Sequence, residues 1–470
     1  MQPSFPRRGR FTSVRKSFTR GRLFRFQCSG ARCEGHAEGA VGGRRGPSLC
    51  SMKGHGSVRS PLKRALSVGL AVGALAALVL SAAPAYAAHP GVVITAAGSD
   101  TTESLMDQIL TDNNPTTGTE FNIHALQPTN LTVPGDAHCG TATYNTVASA
   151  GVFASPQGSG AGRDALKNSI AGSFPSAPVG AGKGCVDIAR SSGEPRAIGS
   201  DLATFEYYGF ALDDVTWASP SLQAPAALTV QQVRDIFNCV VTNWNQIPGG
   251  GNGPIQRVFP SNSSGTGDTF IKKVLGGTVP PSGVAGCPNV ITAEENHGNL
   301  FLDTTNQPAL AAAYQQAILP YSAGKWAFQV NNSANPTLDI RGGVRIGGII
   351  PTGGSQTTVK YPLNWNGVSG KFRIDSSATL VNEANPNLAN PNDTTQLPGV
   401  RYLYNVIDPG SPDYTVARDI VGFDRTVAAT PTTPLCNGGK ASVIVAQGFL
   451  NLPPATVGSA TNSTCRFKTP

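Results

Sequence analysis

The chain has 470 residues and a formal net charge of +8, a balance typical of proteins that bind nucleic acid or membranes. Fifteen of its 36 Lys and Arg residues, however, fall in residues 1–87, beside only two acidic residues. The rest of the chain carries 21 basic and 26 acidic side chains and has no basic stripe with interleaved aromatic residues. The composition of this main part therefore excludes nucleic acid as an expected partner.

Residues 1–87 read as a basic leader that ends in a secretory signal peptide. The pair Lys63-Arg64 precedes the apolar run Ala65–Leu80, and Ala85–Ala87 offers an A-x-A cleavage site. The apolar run is short for a membrane span. Met52 opens a stretch that is shaped like a complete signal peptide, so we expect it to be the true start. The pattern predicts a secreted protein, with association to the cell wall left open.

The cysteines that follow the leader are even in number, which favours disulfides in an exported chain. They are Cys139, Cys185, Cys239, Cys287, Cys436 and Cys465. Six cysteines allow fifteen connectivities. We expect sequential pairing (139 with 185, 239 with 287, 436 with 465), because each pair then closes one local segment. No C-x-x-C motif occurs, and no metal site is predicted.

In chain order, strands that open into small-residue turns recur. The strand-and-turn pairs are Val92–Ala96 with Gly98–Thr102, Val152–Ala154 with Pro156–Gly162, Val186–Ala189 with Arg190–Gly193, and Ile255–Phe259 with Ser261–Gly267. Helix-like spacing follows the first, second and fourth turns. Such turns present main-chain N–H groups and hydroxyls, which suit an anion. Ligands of α/β sheets bind beyond the carboxyl ends of the strands, so we expect the four turns to converge.

The residues predicted to bind the ligand come from these four turns. They are Ser99, Asp100, Thr101, Thr102, Ser159, Gly160, Arg190, Ser191, Ser192, Ser263, Ser264, Gly265 and Thr266. The chemistry of the set, mostly small hydroxyl and glycine residues, indicates a small oxyanion. No catalytic residue and no cofactor are predicted.

The motifs of the chain resemble the phosphate-binding proteins of ABC importers. LTVQQVRDIFNCVVTNWNQI, followed by a strand and SNSSGTGDTF, is similar to that family's helix, T-N-W-N turn and anion loop. AAGSDTTESLMDQIL, SPQGSGAGRDALKNS and CVDIARSSGEP resemble its three earlier segments, and residues 319–326 and 401–406 resemble its later strands. The resemblance covers most of residues 91–450 and is closest to the secreted actinobacterial branch.

This resemblance implies a type II periplasmic-binding-protein fold, an α/β architecture of two lobes joined by two crossover strands with the ligand cleft between them. Lobe 1 would comprise residues 91–210 and 400–470, and lobe 2 residues 220–395. The implied function is capture of phosphate, or a similar inorganic oxyanion, for uptake through an ABC importer permease. We expect a monomer.

The resemblance also assigns individual residues. Ser264, Gly265 and Thr266 fall on the family's anion loop, Ser159 falls on the serine of its second segment, and Asp100-Thr101 falls on its first loop. The importer family has an arginine at the start of the anion loop where this chain has Pro260. We hypothesise that Arg190 supplies the missing charge from the other lobe.

A second departure concerns the proton of the ligand. The family has an aspartate that accepts the proton of phosphate, and this chain has Ser192 at that position. Asp100 and Glu194 are the candidate replacements, although an ionised carboxylate that faces an anion without a proton is repelled.

Two other functions remain open from the sequence. A phosphate-ester hydrolase would need a serine, a histidine base and an orienting acid, but no G-x-S-x-G motif occurs. The histidines (His124, His138 and His297) are expected in loops, and in the pairs Asp213-Asp214 and Glu294-Glu295 adjacent strand residues would point to opposite faces. The other alternative is a cell-surface or adhesion-type protein that keeps the fold without transport. The Asn- and Pro-rich stretch Gly342–Pro398 gives no prediction.

Overall fold

The computed structural model describes residues 91–113, 120–172, 186–195, 203–350, 359–366, 370–374, 398–422, 433–452 and 465–468. The leader, its signal peptide, Cys185 and much of Gly342–Pro398 lie outside these residues. The strands are β1 Ile94–Gly98, β2 Glu120–Asn122, β3 Leu131–Val133, β4 Ala142–Asn145, β5 Phe153–Ala154, β6 Ile188–Ser191, β7 Glu206–Ser219, β8 Ala227–Thr229, β9 Gln256–Phe259, β10 Ile291–Thr292, β11 Ala317–Ser322, β12 Arg345–Ile346, β13 Gly348–Ile350, β14 Leu363–Asn366, β15 Lys371–Ile374, β16 Val400–Ile407, β17 Leu450–Asn451 and β18 Arg466–Lys468. The α-helices are α1 Glu103–Asn113, α2 Gly158–Ala171, α3 Val230–Phe237, α4 Gly265–Thr269, α5 Pro308–Ala313, α6 Ala323–Asn331, α7 Tyr414–Val421 and α8 Ala441–Ala446.

One large sheet runs through the described chain in the order β10-β9-β11-β7-β16-β6-β1-β2. On one side, β1, β2 and β6 are parallel to one another, and on the other side β9, β10 and β11 are parallel. The antiparallel strands β7 and β16 pair with each other between these two groups. The protein is therefore α/β, with two lobes joined by two crossover strands, as the resemblance implied. We call the side with β1, β2 and β6 the first lobe and the side with β9, β10 and β11 the second.

Strand β7 belongs to both lobes. Its fourteen residues begin at the half-buried Glu206 and are buried from there to Ser219, and they carry long apolar and aromatic side chains that suit a strand covered on both faces. Its first part pairs with β16, β17 and β18, and its end pairs with β11 and β12. Consecutive parts of β7 therefore pair with strands of different lobes.

The predicted strand–turn–helix units form. Strand β1 leads through a 3-10 turn, Asp100–Thr102, into α1. Strand β9 leads through the Ser-rich turn that begins at Ser261 into α4, and α4 continues as a π turn over Phe270–Val274. Helix α3 begins after the N-cap residue Thr229. The Thr229 hydroxyl accepts the Gln232 N–H at 3.0 Å, and the Gln232 side chain accepts the Thr229 N–H at 2.8 Å, which completes a capping box.

Two of the three predicted disulfides join described residues. Cys239 is bonded to Cys287 and Cys436 to Cys465, over sequence separations of 48 and 29 residues. Cys139 is also disulfide-bonded, and its predicted partner Cys185 lies outside the described residues. Each closed loop of this size stabilises a chain by about 3.5–4 kcal/mol in the chain-entropy model.

The buried apolar side chains form clusters on both faces of the sheet. One cluster packs α1, α7 and α8 against the sheet, through residues such as Leu105, Phe210 and Ile420. Another packs α3 and the π turn through T-shaped contacts of Phe237 with Phe259 and Phe270. Among the described helices, none combines the length and the apolar character that a membrane span requires.

Candidate functional site

The four predicted turns meet at one place between the lobes. Ser99 follows β1, Ser192 follows β6, Ser159 lies in the first turn of α2, and Ser264 caps α4 after β9. The first and third turns come together because β1 and β6 are parallel neighbours, with Gly98 opposite Arg190. The second and fourth turns contact across the cleft, where the Gly160 N–H donates to the Ser263 carbonyl at 2.7 Å.

Three serines form a buried cluster of hydroxyls. The Ser99 hydroxyl donates to the Ser192 hydroxyl at 2.9 Å, and the Ser159 and Ser192 hydroxyls lie 3.2 Å apart. The Ser192 N–H donates to the Ser159 hydroxyl at 2.9 Å. Gly265 of the second lobe packs directly on this cluster, since a methyl group on its Cα would overlap both the Ser159 and Ser192 hydroxyls. We call Ser99, Ser159 and Ser192 the serine cluster.

Beside the serine cluster, two threonines from different lobes share a buried arginine. The Thr101 and Thr266 hydroxyls lie 3.3 Å apart, and Arg401 Nη2 donates to Thr266 at 3.0 Å and to Thr101 at 3.3 Å. Arg401 Nη1 also donates to the Ser192 carbonyl at 3.0 Å. The same guanidinium pairs with Asp213 at 2.7 Å, and both side chains are fully buried. The site thus contains a positive charge that is already partly balanced.

The turn that precedes α4 holds a carboxylate of the chain itself. Glu295 accepts hydrogen bonds from the Ser264 hydroxyl, from the Thr266 N–H at 3.3 Å and from the Thr101 hydroxyl at 3.2 Å. Its side chain is buried. The hydroxyl and N–H donors that the sequence assigned to an oxyanion therefore bind an oxyanion group, and that group comes from residue 295.

Asp100 is the second carboxyl group of the site. Its Oδ2 accepts a hydrogen bond from Asn296 Nδ2 at 3.2 Å, and its buried Oδ1 has no partner among the described residues. Burial, together with the charge of Glu295, raises the pKa of Asp100 well above its ordinary value. A protonated Asp100 would act as a donor toward an anion, rather than as the acceptor that the sequence suggested.

The remaining predicted residues lie around this core. The Ser191 hydroxyl accepts from Arg163 at 2.8 Å and donates to the Gly193 carbonyl, so it shapes the turn after β6. The Ser263 hydroxyl donates to the Gln157 carbonyl at 2.8 Å and so ties the lobes together. The buried Thr102 hydroxyl has no partner in the part of the chain that the structure describes.

The hypothesis that Arg190 supplies the charge for the ligand has to be corrected. Its guanidinium donates to the carbonyls of Gly98, Ser99 and Ile123 and to the side chain of Asn122. The side chain is fully buried, and these hydrogen bonds hold its guanidinium against the chain around β1 and β2. Arg190 supports the turn after β1 from behind, and Arg401 supplies the buried guanidinium that contacts the predicted hydroxyls.

Glu194, the other candidate proton acceptor, lies at the edge. Its partly exposed carboxylate is 3.9 Å from Lys273 Nζ. The structure instead brings in three residues that the sequence did not assign: Glu295, Asn296 and Arg401. Glu295 and Asp213 were visible only as members of acidic pairs, and Arg401 only as part of a predicted strand.

A histidine lies close to Arg190 and has a raised pKa. His124 Nε2 is 2.9 Å from Asp107 Oδ1, and Nδ1 is 3.6 Å from Glu103. Burial lowers the pKa of His124, but the hydrogen bond to Asp107 and the charges of Glu103 and Asp107 outweigh burial and raise it above 6.5. Protonated His124 therefore stabilises the native state at acidic pH, and this contribution is lost as pH rises through the raised pKa.

We expect His124→Gln to lower the free energy of unfolding at mildly acidic pH, by less than about 1 kcal/mol because the pair is partly exposed. The difference from the parent protein should narrow as the pH becomes alkaline. Urea unfolding of both proteins across this pH range measures the difference, and a gap that stays constant with pH would contradict the assignment.

One group of side chains in the described residues has the composition of a metal site. Asp136, His138 and Asp413 place their ligand atoms within 4.8 Å of one another. Asp136 already accepts the N–H groups of Val93, His138 and Cys139, and His138 Nδ1 is 2.8 Å from Asp413 Oδ1. These internal contacts account for the group, and we assign no metal to it.

The fold and the buried donor site define a protein of the periplasmic-binding-protein class. A family model described as a PBP superfamily domain matches residues 85–339, more than half of the chain. The chain belongs to this superfamily. Comparison with curated proteins gives no match.

Several solved structures are similar to the chain. A putative phosphate ABC transporter substrate-binding protein with bound phosphate from Clostridium perfringens is 13% identical, over 77% of this chain and 100% of that chain, with a TM-score of 0.42. An ABC-type phosphate transport receptor from Vibrio cholerae is 19% identical, over 76% and 99%, with a TM-score of 0.39. PstS from Borrelia burgdorferi is 16% identical, over 77% and 98%, with a TM-score of 0.35.

Proposed function

We propose that the protein is an extracellular solute-binding protein that captures an inorganic oxyanion, phosphate in the first place, between its two lobes. It would be exported through its signal peptide, act as a monomer and deliver the anion to the permease of an ABC importer. The observation that carries the proposal is the coordination of Glu295. A buried carboxylate is an oxyanion, and it is held by a hydroxyl from each lobe and by a main-chain N–H.

The surroundings of these donors supply further hydrogen-bond donors for an anion. Arg401 contacts the Thr101 and Thr266 hydroxyls directly. Its ion-pair partner Asp213 belongs to β7, the strand that both lobes share. The pKa of Asp100, raised by burial and by Glu295, favours a neutral carboxyl group that donates a hydrogen bond. Hydrogen bonds from preorganised donors in a buried site are stronger than those in water.

The same arrangement gives no support to hydrolysis. The serine hydroxyls of the site bond to one another, to main-chain carbonyls and to Glu295. A hydrolase would instead need a histidine positioned to take a proton from a serine. Among the described residues, His124 and His138 pair with carboxylates elsewhere in the first lobe. No described hydrogen bond joins the partly buried His297 to a serine of the site.

Calorimetric titration of phosphate into the purified, oxidised protein tests the proposal, with sulfate in parallel. We expect phosphate to bind, and Thr266→Ala to weaken binding by about tenfold or more, because it removes a hydroxyl that faces the anion in a buried site. Thr132→Ala is the matched control, since the Thr132 hydroxyl is exposed and bonds only to Thr143 among its described contacts.

Comparison of the phosphate and sulfate titrations distinguishes two kinds of anion site. Binding of phosphate alone would support a site that recognises a proton on the ligand, and binding of both anions would support a general oxyanion receptor. Absence of heat with either anion, from a protein shown to be folded, would contradict the proposal and favour a cell-surface protein that uses the same fold without transport.

A further inference from the structure

We propose that Glu295 is an internal ligand of the anion site, and that an incoming oxyanion has to displace its carboxylate to bind. The inference rests on the proposed function and adds to it a residue that sets the affinity and selectivity of the site. It follows from the contacts of Glu295, from the way its segment is held, and from the charge that a second anion would bring.

The carboxylate of Glu295 uses donors from both lobes. Ser264 and Thr266 belong to the turn and first residues of α4 in the second lobe, and Thr101 follows β1 in the first lobe. Both carboxylate oxygens are engaged, Oε1 by Thr101 and Oε2 by Ser264 and Thr266. A bound oxyanion would draw on this same set of donors. The internal carboxylate therefore holds the lobes together through the groups that a solute would use.

The segment that carries Glu295 is fixed by its neighbour. Asn296 has a φ of 57°, a conformation that is uncommon outside glycine. Its carbonyl accepts from the Tyr321 hydroxyl at 2.8 Å and from Gln329 at 2.8 Å, and its side-chain oxygen accepts from the Ser322 N–H at 2.7 Å. These bonds anchor the turn on β11 and α6. The direction in which Glu295 points is thus set by the fold of the second lobe.

A second anion cannot share the donors with Glu295. Two negative groups within hydrogen-bond distance of the same hydroxyls repel each other strongly in a buried site. The nearby Arg401 already pairs with Asp213, so its charge is only partly available to offset this repulsion. Binding of phosphate is therefore a competition in which the Glu295 carboxylate leaves the donors.

The competition has a measurable consequence. The apparent affinity of a ligand falls in proportion to the fraction of molecules in the competent state. Only an anion that binds the donors better than a carboxylate does will displace Glu295, so weakly coordinating anions are rejected. Removing the charge of residue 295, while keeping its shape, should release the site.

The experiment compares Glu295→Gln with Glu294→Gln in a phosphate titration at neutral pH. Glu294 is the control for charge without contact. Its carboxyl group is close enough to contribute to the raised pKa of Asp100, but no described hydrogen bond joins it to the anion-site donors. We expect Glu295→Gln to bind phosphate about tenfold or more tightly than the parent protein. We expect Glu294→Gln to change the affinity for phosphate by much less than Glu295→Gln does.

A second measurement tests the internal ligand without phosphate. Hydrogen–deuterium exchange in a buffer free of multivalent anions reports on the Thr266 amide, which donates to Glu295. Exchange should be faster in Glu295→Ala, which removes both acceptor oxygens, than in the parent protein, and it should be unchanged in Glu294→Ala.

The outcomes separate this inference from the proposed function. If the parent protein binds phosphate and Glu295→Gln binds it equally or more weakly, the inference is wrong and the proposed function stands. Unchanged exchange of the Thr266 amide in Glu295→Ala also overturns the inference. If neither protein binds phosphate, the proposed function fails, and the competition fails with it.

Discussion

Replacing Arg401 by methionine is expected to lower the free energy of unfolding by about 3–5 kcal/mol, because it leaves a buried carboxylate without its partner. Arg401 lies on β16 directly opposite Asp213 on β7, and two of its nitrogens donate to the same Asp213 oxygen at 2.7 and 3.0 Å. Both side chains are shielded from water, with exposures of 1% and 0%. The cost comes from the uncompensated charge that remains.

Urea unfolding of four proteins measures this effect. The double variant Arg401→Met, Asp213→Leu should recover part of the stability that Arg401→Met loses, since it removes both charges. Recovery should be incomplete, because Asp213 Oδ1 also accepts the Gly324 N–H at 3.0 Å. Lys272→Met is the surface control. Its pair with Asp268 is exposed and should contribute less than about 0.5 kcal/mol. A neutral effect of Arg401→Met would show that the pair contributes no net stability.

The second large effect concerns Gly265, where a single methyl group should disrupt phosphate binding. A Cβ at this position would overlap the hydroxyls of Ser159 and Ser192 and lie 2.6 Å from the Gly193 N–H. Overpacking of this kind costs about 1–3 kcal/mol, which corresponds to roughly 5- to 150-fold in affinity. Because the three clashing groups belong to the first lobe and Gly265 to the second, the cost opposes contact between the lobes and leaves each lobe able to fold.

Titration of phosphate into Gly265→Ala, with thermal unfolding recorded for the same sample, checks this expectation. Gly253→Ala is the control, since a methyl group there would meet only the Gln223 side chain, at 3.3 and 3.8 Å. Parent-like affinity in Gly265→Ala would mean that the serine cluster and α4 do not approach each other when the anion is bound.

Much of this architecture follows from local patterns in the sequence. Apolar strands that end in Ser- and Gly-rich turns predicted the units around β1, β6 and β9. The sequential disulfides within 239–287 and 436–465 follow from the same preference for local closure. Such features depend on residues that are close together in the chain, so periodicity and turn chemistry are sufficient to find them.

The polar centre of the site depends on contacts that local patterns do not contain. Arg401 and Thr266 are 135 positions apart, and Thr101 and Glu295 are 194 positions apart. Glu295 lies beyond β10 in irregular chain, where the expectation that adjacent acidic residues face opposite ways has no force. Arg190 is next to the serines in sequence, but carbonyl groups of Gly98, Ser99 and Ile123 hold its buried guanidinium, and these contacts are also distant in sequence.

The shared strand β7 determines how such a site can open. Because the sheet continues through β7 and β16 from one lobe to the other, separation of the lobes has to bend or twist hydrogen-bonded strands and cannot be a free swing on a flexible linker. The buried Arg401–Asp213 pair joins these two strands. Exchange of the proposed solute would therefore require hydrogen-bonded strands to flex around a buried ion pair, and their resistance to bending would oppose opening of the lobes.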